Sequence, residues 1–125
     1  MHKEQIDLLL TRGKNFLESA ENRFKNKDWD LTCFFAEQSV QLYIKAVILE
    51  LSGSSPRIHS LRRLIALLGQ IIDEKIEYER KSLLFLESAY FNARYLPFKY
   101  EKQDAEEALR IAKELITLVK NYRIR

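Results

Sequence analysis

The chain has 125 residues, 46% of them hydrophobic and 31% charged, with a net charge of +3. That describes one globular domain over residues 1–125, long enough to enclose a core, and excludes a disordered tract. One cysteine, Cys33, excludes an intrachain disulfide; with two histidines it also excludes the usual zinc sites, and no apolar run is long enough to span a bilayer.

Only three glycines and two prolines interrupt the chain, so it reads as helical throughout. The opening MHKEQIDLLL does not read as a secretory signal, and the expected location is cytoplasmic. The first helix is expected from Lys3 to Lys25, where Ile6, Leu9, Gly13, Phe16, Ala20 and Phe24 recur on one face. Asn26 to Asp28 make a turn, with Asp28 placed to cap the next helix. The second helix spans Trp29 to Leu51. Its centre, LYIKAVIL, is apolar nearly all round except at Lys45, so it must be buried on more than one side, by the rest of the domain or by another subunit. Cys33 falls on this apolar stretch and reads as a small buried hydrophobe. Gly53 and the SGSSPRI stretch end the helix.

A third helix starts near His59 or Ser60, with Leu61, Leu64, Leu68 and Ile71 as its inner stripe. Ile72 to Glu74 connect it to a fourth helix, expected from Lys75 to Arg94, with Ile76, Leu83, Leu86, Tyr90 and Ala93 facing inward. LPFKYEKQ is a second clear loop. Asp104 opens a final helix to Tyr122, along which Ala105, Ala108, Ala112, Leu115, Val119 and Tyr122 trace a bundle seam. Short loops between long amphipathic helices predict an all-α fold, an up-and-down antiparallel bundle of about five helices.

The chemistry-bearing residues are few. No phosphate-cradling glycine loop, dinucleotide fingerprint or metal-spaced carboxylate cluster is present, and no cofactor or metal is expected. His59 sits in the densest basic patch, with Arg57, Arg62 and Arg63; it is either a loop histidine or a proton donor and RNA contact. Glu37, Gln38 and Gln41 lie three and four apart within FFAEQSVQLYIKA, as an inter-helix hydrogen-bond network or as the lining of a polar groove with Arg94. Arg94 ends the fourth helix among Tyr90, Phe91, Tyr95 and Phe98, where a cation is favoured by the helix dipole or by a carboxylate partner.

Three stretches in succession carry a resemblance: FAEQSVQLYIKAVILELSG, then HSLRRLIALL, then ESAYFNARYLPFKYEKQDAEEALRIAKELI. Over roughly residues 5–120 the chain resembles the HEPN domain family of helical bundles. Ala36, Gln38, Lys45 and Ala46 fit the second-helix pattern, with Gln41 where a glutamate is usual. His59, Ser60 and Leu61 fit the third-helix start. Ala93, Arg94, Tyr95 and Pro97 fit an alanine-arginine-tyrosine-proline stretch, with Leu96 as an extra residue. The resemblance implies a homodimer with a functional groove at its two-fold interface. It also implies a nucleotidyltransferase partner in a toxin-antitoxin-like system, and a nucleotide or an RNA as ligand.

Many members cut RNA without metal, using an arginine and a histidine shortly downstream. At the corresponding positions this chain has Lys99, Tyr100 and Glu101. The expectation is therefore binding of a nucleotide or RNA phosphate by Arg94, with Tyr95, Glu37, Gln38, Gln41 and Lys99 around it. The alternatives are a divergent RNase using Arg94 with Tyr100 or His59, and a non-catalytic helical scaffold.

Overall fold

The computed structural model describes residues 2–95 and 97–123. Among these residues there are five α-helices and no strand: α1 (Lys3–Lys25), α2 (Trp29–Ser52), α3 (Leu61–Ile72), α4 (Arg80–Tyr95) and α5 (Lys102–Lys120). The all-α bundle expected from the sequence is the observed architecture. Leu96, the extra residue of the HEPN-like stretch, lies outside the described residues.

The helices are organised around α2, which packs against each of the other four. Its boundaries follow from local chemistry. The Asp28 carboxylate accepts from the Leu31 amide at 3.3 Å, and the Asp28 carbonyl accepts from the Thr32 hydroxyl at 2.7 Å. The first bond satisfies a backbone donor that a helix start otherwise leaves unpaired, and the second satisfies a buried hydroxyl. At the other end Gly53 takes the left-handed conformation, with φ of 82°, that a side chain would oppose.

The largest interface is between α1 and α2. It is close because Gly13 lacks a side chain: a Cβ there would stand 3.0 Å from the Tyr43 ring. The close approach lets the buried Ser39 hydroxyl donate to the Gly13 carbonyl at 2.6 Å. A polar residue in the apolar centre of α2 is thereby satisfied.

The all-round apolarity of α2 is answered within a single chain. Ala36, Val40, Ile44 and Val47 have no solvent exposure once α1, α3, α4 and α5 are in place. A second subunit is not needed to bury them. Cys33 is buried in the same helix, and desolvation pushes its thiol far above the ordinary range.

The connection between α3 and α4 differs from the sequence expectation. Helix α4 begins at Arg80, not Lys75, and residues 75–79 are not helical. Exposure alternates along them: Lys75, Glu77 and Glu79 are exposed, while Ile76 and Tyr78 are half-buried. That is the two-residue period of an extended chain, not the helical period. Asp73, with φ of 54°, turns the chain out of α3, and the Glu74 amide donates to the Gly69 carbonyl at 3.0 Å. The Tyr78 hydroxyl then ties the segment to Glu114 of α5 at 2.7 Å.

At Gly69 a Cβ would lie 2.8 Å from the Glu74 carbonyl oxygen, which is backbone and cannot swing away. Gly69→Ala is expected to displace the turn at 73–76 and cost about 1–3 kcal/mol despite the better helix propensity of alanine. A urea unfolding curve measures this; an unmoved midpoint would mean the turn has room to give.

Candidate functional site

The last two turns of α4 carry the site. Tyr90 and Arg94 are one turn apart, so they share a face. The Arg94 Nε donates to the Tyr90 carbonyl at 3.2 Å. The guanidinium carbon lies 4.6 Å from the ring centres of both Tyr90 and Tyr95, and 5.3 Å from that of Phe34 on α2. Each ring face presents negative charge density to the cation. No carboxylate pairs with Arg94 among the described residues, although six ion pairs form elsewhere. The result is an exposed guanidinium held in place by rings and one carbonyl, with its remaining donors not committed to a carboxylate.

His59 belongs to the same arrangement. Its imidazole stacks on the Tyr90 ring that Arg94 also touches, with centroids 4.8 Å apart and planes inclined by 19°. The two candidates therefore share one phenol ring, although one comes from α4 and the other from the loop before α3. Around them the surface is aromatic. Of the large hydrophobic residues exposed on the described chain, Phe91 (51%), Tyr95 (60%) and Phe98 (45%) all lie in this stretch, leaving only Leu8 elsewhere. Phe91 and Tyr95, one turn apart, contact each other at 5.0 Å.

Next to His59 lies a junction that the sequence does not reveal. Glu87 of α4 reaches the start of α3. Its carboxylate accepts from the Ser60 hydroxyl at 2.7 Å, the Arg62 amide at 3.1 Å and the Arg62 Nη2 at 2.9 Å. Burial pushes the Glu87 carboxyl upward, but the donors from Arg62 and Ser60 outweigh it and hold the group below its ordinary value. An anion at a helix N-terminus is also favoured by the peptide dipoles. So the basic patch expected at His59 is partly neutralised: Arg62 is committed to Glu87, and only Arg57 and Arg63 remain exposed beside His59.

Glu37, Gln38 and Gln41 form their own cluster. Glu37 has no solvent exposure; its two carboxylate oxygens accept from Gln38 Nε2 at 2.8 Å and Gln41 Nε2 at 2.6 Å. Burial pushes this carboxyl up to about 7, against the two amide donors; the charge of Glu87 adds to the rise and Lys45 opposes it. No hydrogen bond joins the cluster to Arg94 among the described residues. The link is through α2 itself, because Phe34 stands one turn before Glu37 and Gln38.

Tyr100 lies on the opposite side of α4. It is buried, its amide donates to the Asp30 carboxylate at 2.8 Å, and its ring packs against Phe85 and Phe98. Its hydroxyl points toward Ser88 and Asn92 without closing a hydrogen bond to them or to any other described residue. Ser88 and Asn92 are two positions from Tyr90 and Arg94, about 200° around the helix. Burial raises the phenol further above its ordinary value. The structure thus brings Arg94, Tyr95 and His59 together, keeps Glu37, Gln38 and Gln41 behind them, leaves Lys99 exposed in the following loop, and sends Tyr100 into the core.

No group of three His, Cys, Asp or Glu side chains fit to hold a metal occurs among the described residues. A groove of about 590 Å³ lies at the other end of α4, lined by Ile65, Gly69, Ile76, Arg80 and Leu83, and contains none of the candidate residues. None of the described helices is long and apolar enough to cross a membrane.

Residues 6–122 match the HEPN domain, and the chain belongs to the HEPN domain family. The fold agrees with solved structures along nearly its full length. TT1696 from Thermus thermophilus superposes with a TM-score of 0.80 at 23% identity, covering 94% of this chain and 98% of that one. ST0689, an archaeal HEPN homologue, superposes with a TM-score of 0.70 at 20% identity, covering 93% and 95%. No curated protein matches the chain. At these identities the structural likeness shows the fold.

Removing the Glu87 carboxylate leaves Ser60 and Arg62 without their common acceptor. Glu87→Ala is expected to cost about 1–3 kcal/mol, the solvent screening of Arg62 included, and to release His59 from Tyr90. Proton NMR measures the second effect directly, because a stacked imidazole is shifted upfield by the phenol ring. An unchanged His59 shift in the variant would show that the junction does not position it.

Proposed function

We propose that this HEPN-domain protein is a homodimer that binds the phosphate of a nucleotide or RNA at Arg94, working with a nucleotidyltransferase partner. One observation carries the reading: an exposed guanidinium with no carboxylate partner among the described residues, oriented by three rings and a carbonyl. A planar fork held this way loses little side-chain entropy when it meets two phosphate oxygens. Tyr95 offers a ring on which a base can stack, and Lys99 adds a second cation in the adjacent loop. Glu37, Gln38 and Gln41 support the site from behind, by fixing the helix on which Phe34 stands. The exposed Phe91 and Phe98 supply the apolar surface that a dimer contact would cover. The partner rests on family membership alone.

A second reading, a divergent metal-independent RNase, is favoured by His59 rather than Tyr100. Cleavage at the 2′-hydroxyl needs a proton acceptor near neutral pH. The imidazole shares the Tyr90 ring with Arg94, whereas the Tyr100 phenol is buried on the far side of α4.

Fluorescence anisotropy with a labelled single-stranded RNA, in EDTA, tests both readings. Arg94→Ala is expected to weaken binding at least tenfold, corresponding to about 1.5–3 kcal/mol for a charge-assisted contact, without lowering thermal stability. Unchanged affinity sinks the assignment. Gel analysis of the same samples decides the chemistry: cleavage lost in His59→Ala supports the RNase reading, and no cleavage by the unaltered protein removes it.

The dimer is tested separately. Light scattering at micromolar concentration is expected to give twice the chain mass, and the double change Phe91→Ser, Phe98→Ser is expected to halve it. A monomeric unaltered protein rejects the dimer.

A further inference from the structure

Helix α2 reaches the surface along one line. Between Leu31 and Leu49 the half-buried residues are Leu31, Phe34, Phe35, Gln38, Leu42 and Lys45, and all the others are buried. Steps of three and four place them on a single stripe. Rings carry this stripe onto the helices at either side. The Phe35 ring lies 5.7 Å from that of Phe16 on α1 and 5.8 Å from that of Phe34. Phe34 in turn lies 5.3 Å from the Arg94 guanidinium, which rests 4.6 Å from the Tyr95 ring. A row of rings with one guanidinium thus crosses α1, α2 and α4 without a break in contact.

Charge along the row has one sign. Arg94 stands at one end and Lys45 on the stripe itself. At the other end Arg12, Asn15, Phe16 and Ser19 line a shallow hollow of about 140 Å³. Arg12 lies about 40° from Phe16 around α1, whereas Glu4, Asp7, Glu18 and Glu21 are turned away by about 120° or more. Arg12 enters none of the ion pairs among the described residues. Asp30, just before the stripe, already accepts from the Tyr100 amide.

We propose that this row is a binding track for a single strand of RNA several nucleotides long, with Arg12 and Phe16 of α1 as its far end. The proposal rests on the phosphate-site reading at Arg94 and extends it from one phosphate to a path. A single strand brings phosphates to the cations and unpaired base faces to the rings. A duplex keeps its bases stacked on one another and leaves the rings unused. A second copy of this chain, meeting the same patch across a two-fold axis, brings no carboxylate to the cations. Half-buried rings suit the role, because each is fixed by its neighbour and still shows part of its face.

Fluorescence anisotropy with labelled oligouridylates tests the track. A strand of about twelve nucleotides is expected to bind at least tenfold more tightly than a dinucleotide. Arg12→Ala, an exposed change, is expected to weaken binding of the longer strand about threefold or more, and Phe16→Leu, which keeps the apolar packing, to do the same. Arg12→Ala is also expected to lower the slope of log affinity against log salt by about 0.7, the loss of one phosphate contact. Equal affinity for the two lengths overturns the proposal, and so does an unchanged affinity of Arg12→Ala for the longer strand. The light-scattering mass of Arg12→Ala is expected to equal that of the unaltered protein; half that mass assigns the face to a second copy and overturns the track too. Failure of the underlying reading is distinct: Arg94→Ala then binds as the unaltered protein does, whereas failure of the track alone leaves the Arg94→Ala loss in place.

Discussion

The burial of α2 on every side is the constraint from which the rest follows. Thirteen of its 24 residues are buried, and no other helix meets all the others. A helix apolar all round is stable in water only when enclosed. The enclosure fixes where α1, α3, α4 and α5 lie, and it requires each polar residue on α2 to find a partner inside. Thr32 uses the Asp28 carbonyl, Ser39 uses the Gly13 carbonyl, and Glu37 uses two neighbouring amides. The first two are neutral solutions. The third puts an ionisable group where ionisation is costly.

Helix α4 divides the remaining work between its faces. Leu83, Leu86 and Ala89 enter the core, and Ser88 and Asn92 look toward the buried Tyr100. Glu87 binds the start of α3, while Tyr90 and Arg94 hold the exposed edge. One short helix thus connects the core, the junction with α3 and the candidate phosphate site. The aromatic residues around Arg94 serve two ends: Tyr90, Tyr95 and Phe34 orient the guanidinium, and Phe91, Phe98 and Tyr95 itself remain exposed.

Much of this was readable from local patterns. The helical periods of α1, α2, α3 and α5 are strong, Asp28 and Gly53 mark the boundaries of α2, and the aromatic surround of Arg94 lies within six residues of it in sequence except for Phe34. The segment 75–79 was misread because its five residues are too few to separate a two-residue period from a helical one when a true helix follows directly. The Glu87 junction and the stacking of His59 on Tyr90 join residues far apart in sequence. Nothing local marks such pairs. Tyr100 misled for a related reason: its spacing from Arg94 suggests proximity, but the helix ends between them and the chain turns back under α4 before reaching it.

The distribution of contacts also orders events in time. The α1–α2 hairpin combines the largest interface with the shortest connection, and contacts close in sequence form at low loop-closure cost. The contacts that join the candidate site across elements are of the other kind. Phe34 must wait for Arg94, Ser60 for Glu87 and His59 for Tyr90. The sequence of the hairpin precedes that of α4, and the Arg94 guanidinium meets Phe34 only once α4 is docked on α2. The candidate site is complete only in the finished fold, so a partly folded chain does not present Arg94, Phe34 and His59 together.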